Sequence, residues 1–217
     1  NHIFRKGHRS LGFSSGLIGS GMAFEYPFFK RIMSNIKAVG GFDKELELTL
    51  LKDGNTIEYI NEAFLLDEKI QKSEDFSQQR RRWLSTQVVY FKRFFLPGLR
   101  ELFFRGNIDF FDKVYQMITP PRILLLGIVC ITTVCYFLMD VDVIAITPNV
   151  AASLWYVTLS ITLLAFLMAI PIKYYNAKTL KAIFTIPKAF FTMFLLLFKL
   201  KGANKEFLHT KHGTLNN

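Results

Sequence analysis

Gln79-Arg80-Arg81-Arg82-Trp83 stands at the seam of this sequence. Before it lies a polar half of mixed pattern. After it the chain turns aromatic and basic, then strongly apolar. Three arginines beside a tryptophan can be a plain basic helix face that ends in a buried ring. They can also be an anion site next to a flat apolar platform, because a guanidinium fork gives a phosphate two hydrogen bonds at once. The surroundings decide between the two.

Downstream, residues 84 to 117 interleave Phe91, Phe94, Phe95, Phe103, Phe104, Phe110 and Phe111 with Lys92, Arg93, Arg100, Arg105 and Lys113. Apolar and cationic residues mixed in short helices suit the headgroup boundary of a bilayer. Pro97-Gly98 and Gly106-Asn107 are expected to divide this region. Arg122 to Met139 carries no charge after Arg122 itself. At about 1.5 Å per residue it reaches across a hydrocarbon core of about 30 Å. Val150 to Ile172 is a second uncharged run, with Trp155 and Tyr156 near one end, where aromatic belts lie. Ala189 to Phe198 is apolar but too short to span, so it reads as an interfacial or re-entrant helix. The chain is 51% hydrophobic, has 23 Phe and carries a net charge of +10, which together place its cations against a lipid surface. A nucleic-acid binder would share the charge, but it would leave the apolar runs unexplained and no binding module is present. Cys130 and Cys135 lie inside an apolar run and read as small apolar residues, without a disulfide or a zinc site.

Upstream, residues 1 to about 70 read as mixed α/β. A short helix is expected over Pro27–Met33 and another over Lys44–Lys52, closed by Gly54-Asn55. Thr56–Ile60 alternates polar and apolar like a half-buried strand, and Ala63–Leu66 reads as a second strand. Ser73, followed by Glu74 and Asp75, should cap the helix that carries the arginines.

Gly19-Ser20-Gly21-Met22-Ala23-Phe24, then Asp43-Lys44-Glu45-Leu46-Glu47-Leu48, then Gln79-x-x-Arg82-Trp83 ahead of hydrophobic spans resemble the processive, membrane-integrated family 2 glycosyltransferases. The cellulose, chitin and hyaluronan synthases belong to that family. The resemblance covers the C-terminal half of such an enzyme; with Asn1 at its start, the chain is expected to be partial. It implies inverting transfer from a nucleotide-sugar, a UDP-sugar by analogy, to a growing glycan or lipid-linked acceptor.

The resemblance assigns roles residue by residue. Asp43 would be the base that takes the acceptor's proton, with Phe42 standing where the family has a further acid. On the residues alone, Asp43 is as readily a helix N-cap, and Asp67-Glu68 and Glu74-Asp75 are rival acidic pairs. Gln79 and Arg82 would bind the leaving diphosphate, while Arg80 and Arg81 point elsewhere and meet lipid headgroups. Trp83 would carry the acceptor sugar on its ring, and Gly19, Ser20 and Gly21 would let backbone approach it closely. A divalent metal, Mg²⁺ or Mn²⁺, is expected with ligands outside this chain. Asp140-Val141-Asp142 has the metal-binding spacing but follows a membrane span and is rejected. Phe207 to Thr210 weakly resembles a segment that gates the active-site mouth.

The expected fold class is therefore α/β, a partial GT-A catalytic domain over residues 1–83. Interfacial amphipathic helices follow over 84–121, two transmembrane helices with a short external connector over 122–172, and a cytoplasmic interfacial or re-entrant helix and tail over 173–217. Most of the chain is α. The protein would be a multi-pass protein of the cell membrane, its catalytic face cytoplasmic and its partners the bilayer, the nucleotide-sugar and the acceptor. The alternative is a non-catalytic membrane protein, a transporter subunit or scaffold with a basic juxtamembrane domain. Arg122 precedes the two runs and Lys173, Lys178, Lys181 and Lys188 follow them, whereas the connector is acidic. By the positive-inside rule the connector faces away from the cytoplasm. Asn149→Cys, in a background lacking Cys130 and Cys135, should then react with an impermeant thiol reagent on intact cells. Labelling only after lysis would overturn the topology.

Overall fold

The computed structural model describes residues 2–37, 41–63, 65, 73–141 and 151–200. These fall into two compact units. One comprises residues up to Thr119 together with Leu196 onward; the other is Pro120–Leu195.

The first unit is built around α3 (Phe42–Lys52), whose buried residues are Glu45, Leu46, Glu47, Leu48, Leu50 and Leu51. A helix buried on several sides sits at a centre, not on a surface. Leu48 and Leu51 pack with Tyr90, Phe94, Phe110, Val114 and Met117. Leu46 and Leu50 pack on the opposite side with Leu17 and Ile32, joined by Met22, Phe24, Phe28 and Phe29. The first cluster is supplied by α4 (Ser73–Arg105) and α5 (Ile108–Ile118), the second by α2 (Tyr26–Met33) and the loop before it. The chain enters through a π-type turn, His2–Gly7, and a helical turn, α1 (His8–Ser10). Arg9 pairs with Glu58 at 2.6 Å and ties that entry to the extended segment after α3.

The helices expected around Pro27–Met33 and Lys44–Lys52 are present, as is the start at Ser73. Gly54, at φ +78°, ends α3 in the left-handed conformation that glycine adopts without cost. The α/β expectation is corrected: among the described residues there is no strand. Thr56–Ile60 does alternate, with Ile57 touching both apolar clusters. Among the described residues its backbone, however, meets only the loop at Ser14 and Ser15, through Ile57 N to Ser14 Oγ at 3.0 Å and Ser15 N to Ile57 O at 2.9 Å. No ladder forms between described residues there, because a ladder needs a neighbouring extended chain. The second expected strand, Ala63–Leu66, falls largely outside the described residues.

The expected break at Pro97-Gly98 is also corrected, since α4 runs through Pro97 to Arg105. Proline inside a helix removes one hydrogen bond and costs about 3 kcal/mol in isolation. Here Tyr90 and Phe94 before it are buried against α5, and Gly98 lets Val114 approach to within 3.3 Å of where a Cβ would stand. Packing on both sides of the proline outweighs its local preference. Gly106-Asn107 is a true break, at φ +65° for Gly106. Asn107 Oδ1 accepts from Phe110 N at 3.0 Å and so caps α5, while its Nδ2 donates to Leu51 O at 2.8 Å. One asparagine thus starts α5 and satisfies the last turn of α3. The outer face of α4 and α5 leaves Leu96, Phe103, Phe104, Ile108, Tyr115 and Ile118 exposed.

The second unit holds α6 (Arg122–Asp140) and α7 (Ala151–Ala169), both long and apolar enough to cross a membrane. They pack together, Tyr136 stacking on Trp155 at 6.4 Å and Tyr156 donating to Asp140 at 2.6 Å. Two helices long and apolar enough to span are therefore present where two spans were expected, the second ending at Ala169 just before Pro171. The connector is outside the described residues. Beyond them lie α8 (Ala177–Ile183) and α9 (Ile186–Leu197), bent by 41°. The pair is a broken span or a re-entrant loop, longer than the ten-residue segment expected from the sequence. Gly127 of α6 leaves room for Phe190 of α9, whose ring would lie 2.1 Å from any Cβ there. The tail, with Phe207 to Thr210, is outside the described residues.

Gly41 joins α3 to α4. Its φ is +67°, and a Cβ there would lie 2.5 Å from Thr86 Cγ2. Gly41→Ala should therefore lower stability by about 1–3 kcal/mol, through strain plus overpacking. Thermal or denaturant unfolding in detergent checks this, and adding Thr86→Ser should recover part of the loss. An unchanged midpoint for Gly41→Ala would show that the two helices do not meet at this point.

Candidate functional site

Two glutamates of α3 are almost wholly buried, Glu45 at 2% and Glu47 at 1% exposure. A buried carboxylate is tolerated only with hydrogen-bond and charge partners. Glu45 accepts from the Tyr90 hydroxyl at 3.1 Å, from Arg93 Nη1 at 2.8 Å and, at 3.5 Å, from Lys37 N. Burial, then the Glu45 carboxylate, push the Tyr90 phenol far above its ordinary range, so it remains a donor. Glu47 accepts from Leu17 N at 2.9 Å and from Lys44 Nζ at 2.8 Å; Lys44 also donates to Leu17 O at 3.3 Å. One carboxylate therefore pins α4 to α3, and the other pins the loop that leads into Gly19-Ser20-Gly21.

Asp43 lies in the first turn of α3, partly buried. It is not the N-cap, because Gly41 occupies that position. The capping alternative is thereby corrected: Asp43 has no hydrogen-bond partner among the described residues, whereas Glu45 two positions on is engaged on both oxygens. Asp43 is close enough to Tyr90 to act on its charge. Gly41 meets Thr86 and Glu45 meets Tyr90. On an α-helix Gln79, Arg82, Thr86 and Tyr90 recur at i, i+3 and i+4 spacing and share a face. The start of α3 is thus pressed onto the face of α4 that continues, one turn earlier, into Gln79 and Arg82. Both of these side chains are partly buried.

Trp83 is 48% exposed, so the stretch does not end in a buried ring. The Arg80 guanidinium lies over its ring, 4.8 Å from the centroid. Arg80 and Trp83 are three residues apart, and i and i+3 share a helix face. Arg81 donates from Nε to the carbonyl of Lys199, just past α9. Gly21 has φ +73° and lies against Leu65, whereas Gly19 is open. The rival acids Asp67 and Glu68 are outside the described residues, as are the side chains of Glu74 and Asp75.

A second polar cluster involves α5 and Glu47 of α3. Lys113 of α5 is fully buried, and its Nζ has no hydrogen-bond partner among the described residues. Burial pushes its pKa down, while Glu47, Asp112 and Asp109 pull it back up. Asp112 faces His8 at 3.5 Å, and Asp109 accepts from Ser14 N at 2.9 Å. A shallow groove lined by Asp53, Asn55, Glu101, Arg105 and Asp109 opens nearby and contains none of the expected site residues. Among the described residues no group of three His, Cys, Asp or Glu could hold a metal ion. The described residues therefore do not fit one.

Sequence reasoning missed Glu45 and Glu47 as structural anchors. A signal was available: Leu46, Leu48, Leu50 and Leu51 point to more than one side of a helix, so the acids between them cannot all face water. It missed Tyr90, Arg93 and Lys113 because their partners are distant in sequence. No protein-family model, curated protein or solved structure matches the chain.

Glu45→Ala should cost about 3–5 kcal/mol, since it leaves Tyr90, Arg93 and the Lys37 amide without their acceptor. Glu45→Gln should cost less, because an amide oxygen still accepts from Tyr90. The raised Tyr90 pKa adds an alkaline signature. Unfolded tyrosine ionises near its ordinary pKa of about 10, whereas burial and Glu45 hold folded Tyr90 well above that. Stability from this group is therefore complete below about pH 10 and lost as pH rises beyond it. Tyr90→Phe should flatten that part of the unfolding profile; an identical alkaline loss in wild type and variant would refute the coupling.

Proposed function

We propose that this chain is the membrane-proximal part of an inverting glycosyltransferase. It would move a sugar from a nucleotide donor, a UDP-sugar on the resemblance, to a growing glycan or lipid-linked acceptor at the cytoplasmic face of the cell membrane. The observation that carries the reading is the seating of the α3 start, with Asp43, on the face of α4 that bears Gln79 and Arg82. Two apolar helices able to span a membrane follow in the same chain. On this reading the sheet of a GT-A domain, and the metal ligands, are supplied from outside these residues.

The chemistry assigned to each residue follows from its type. As an acceptor hydroxyl oxygen bonds to the donor's anomeric carbon, the bond to the diphosphate breaks on the opposite side and the configuration inverts. Asp43 takes the hydroxyl proton, a role that suits a partly buried carboxylate without a hydrogen-bond partner among the described residues. Negative charge grows on the departing diphosphate, and Arg82 and Gln79 supply donors for it. The half-exposed Trp83 offers its flat face to the acceptor sugar. Gly19, Ser20 and Gly21 follow the segment held by Glu47 and would let backbone come close to that sugar. Neither α6 nor α7 carries an Asp, Glu, Lys or Arg between Ile123 and Met139 or between Ala151 and Ala169, where a transporter would place its ion path.

The discriminating variant is Asp43→Asn. Asn keeps size and hydrogen bonding, and the helix cap belongs to Gly41, so expression and membrane insertion should be normal. Removing a positioned base should lower transferase activity of the full-length protein by about 10²-fold or more, with UDP affinity retained. Arg82→Lys should also impair turnover because an ammonium lacks the bidentate fork. Trp83→Ala should weaken acceptor use more than donor binding. Wild-type product formation by all of these variants would sink the reading and leave 79–83 as a basic helix face.

A further inference from the structure

Ile128, Ile131 and Thr132 of α6 and Phe190, Phe191 and Phe194 of α9 line a groove of about 240 Å³ within the second unit. Of the six, only Thr132 carries a polar group. The floor of the groove is packed: Phe190 is buried against Gly127, and Phe194 stacks on Phe190 at 6.1 Å. Its walls are open, with Ile128, Ile131, Phe191 and Phe194 all exposed. The helix that carries one wall, α6, is long and apolar enough to cross a membrane. At about 1.5 Å per residue, Ile128 to Thr132 lie about 9–15 Å along it from Arg122. With Arg122 at the headgroup boundary, one leaflet of a core about 30 Å thick extends about 15 Å. The groove therefore lies at the depth of one leaflet's acyl chains, where its solvent is hydrocarbon.

The start of α9 supplies charge. Lys188 is exposed and stands three residues before Phe191, on the same helix face. Lys178 and Lys181 of α8 are exposed as well. No Asp or Glu occurs from Val143 to Lys205, so these lysines have no acid in their own segment. A lysine stem lies along apolar surface while its ammonium reaches the headgroups.

We propose that the groove is a binding site for one anionic glycerophospholipid. An acyl chain lies between α6 and α9, and Lys188 holds the phosphate, with Lys178 and Lys181 raising the local positive potential. The occupant also completes the packing. Helices in hydrocarbon associate through close contact, and beyond Gly127 and Phe190 the groove interrupts that contact. A chain seated there would restore it. The site shares no residue with the transferase reading and does not depend on it.

The experiment is native mass spectrometry of the natural full-length protein in detergent, which counts bound lipids one at a time. Dioleoyl phosphatidylglycerol and dioleoyl phosphatidylcholine are titrated separately. The first phosphatidylglycerol should bind about tenfold more tightly than the first phosphatidylcholine. Lys188→Gln should weaken phosphatidylglycerol about fivefold and leave phosphatidylcholine unchanged, whereas Lys188→Arg should keep the preference. Ile131→Trp, which places a larger ring in the groove from an exposed position, should remove the tight site. Leu164→Trp, on the exposed surface of α7, should not. Equal affinity for the two lipids in the parent protein overturns the proposal. So does phosphatidylglycerol binding that neither Lys188→Gln nor Ile131→Trp alters. Undecaprenyl phosphate is the competing ligand: if it displaces phosphatidylglycerol and is itself lost in Ile131→Trp, the groove belongs to an isoprenoid carrier and the phospholipid assignment falls. A lipid-free parent dimer that Ile131→Trp converts to monomer overturns it in favour of a second copy of this chain.

Discussion

The burial of two carboxylates on one short helix governs the first unit of this protein. Glu45 and Glu47 lie at 2% and 1% exposure, where an unpaired charge would cost several kcal/mol. Each must therefore recruit donors, and the donors come from different parts of the chain. Glu45 takes Tyr90 and Arg93 from α4, whereas Glu47 takes the Leu17 amide and Lys44. Apolar burial alone would hold α3 in the centre but would not fix its rotation or slide. The carboxylates do both, because hydrogen bonds are directional where hydrophobic contact is not.

That constraint passes to the candidate site through α4. The helix runs from Ser73 to Arg105 without a break, so the ties made at Thr86, Tyr90 and Arg93 also set the position of the turn bearing Gln79, Arg82 and Trp83. A site built on a long helix that is locked by buried charges is held more precisely than one built on a loop. The Gly19-Ser20-Gly21 loop starts two residues after Leu17, whose amide and carbonyl are both engaged by α3. Asp43 shares a helix turn with Glu45 yet is left without a partner among the described residues. Of these neighbouring acids, Glu45 is thus the anchor between α3 and α4.

The membrane unit follows a different rule. With hydrocarbon as solvent, apolar exposure costs nothing, and association relies on close packing and on internal polar contacts. Gly127 against Phe190 is the first kind, and Thr133 Oγ1, bonded to Val129 O and also reaching Trp155 O at 3.3 Å, is the second. The wide exposure of Leu154, Ile161, Leu164 and Met168 on α7 is what a lipid-facing helix shows.

The sequence by itself determined the elements whose signal is local. The uncharged runs gave α6 and α7, since length and hydropathy alone decide whether a helix can cross a bilayer. Gly54 and Gly106-Asn107 marked helix ends, because positive φ and side-chain capping are properties of single residues. The arginine-over-indole pair was implicit in the i, i+3 spacing of Arg80 and Trp83. Tertiary structure decided the rest. Thr56–Ile60 has a strand's alternation but no ladder among the described residues, because a strand is defined by a partner that the segment does not name. Pro97 looked like a break but is carried inside α4, because packing of Phe94 and Gly98 against α5 outweighs a cost that is purely local. The roles of Glu45 and Asp43 could not be told apart by composition, since both are acids near one helix start. Only the fold, by bringing Tyr90 and Arg93 to one of them and not to the other, made one an anchor and left the other open.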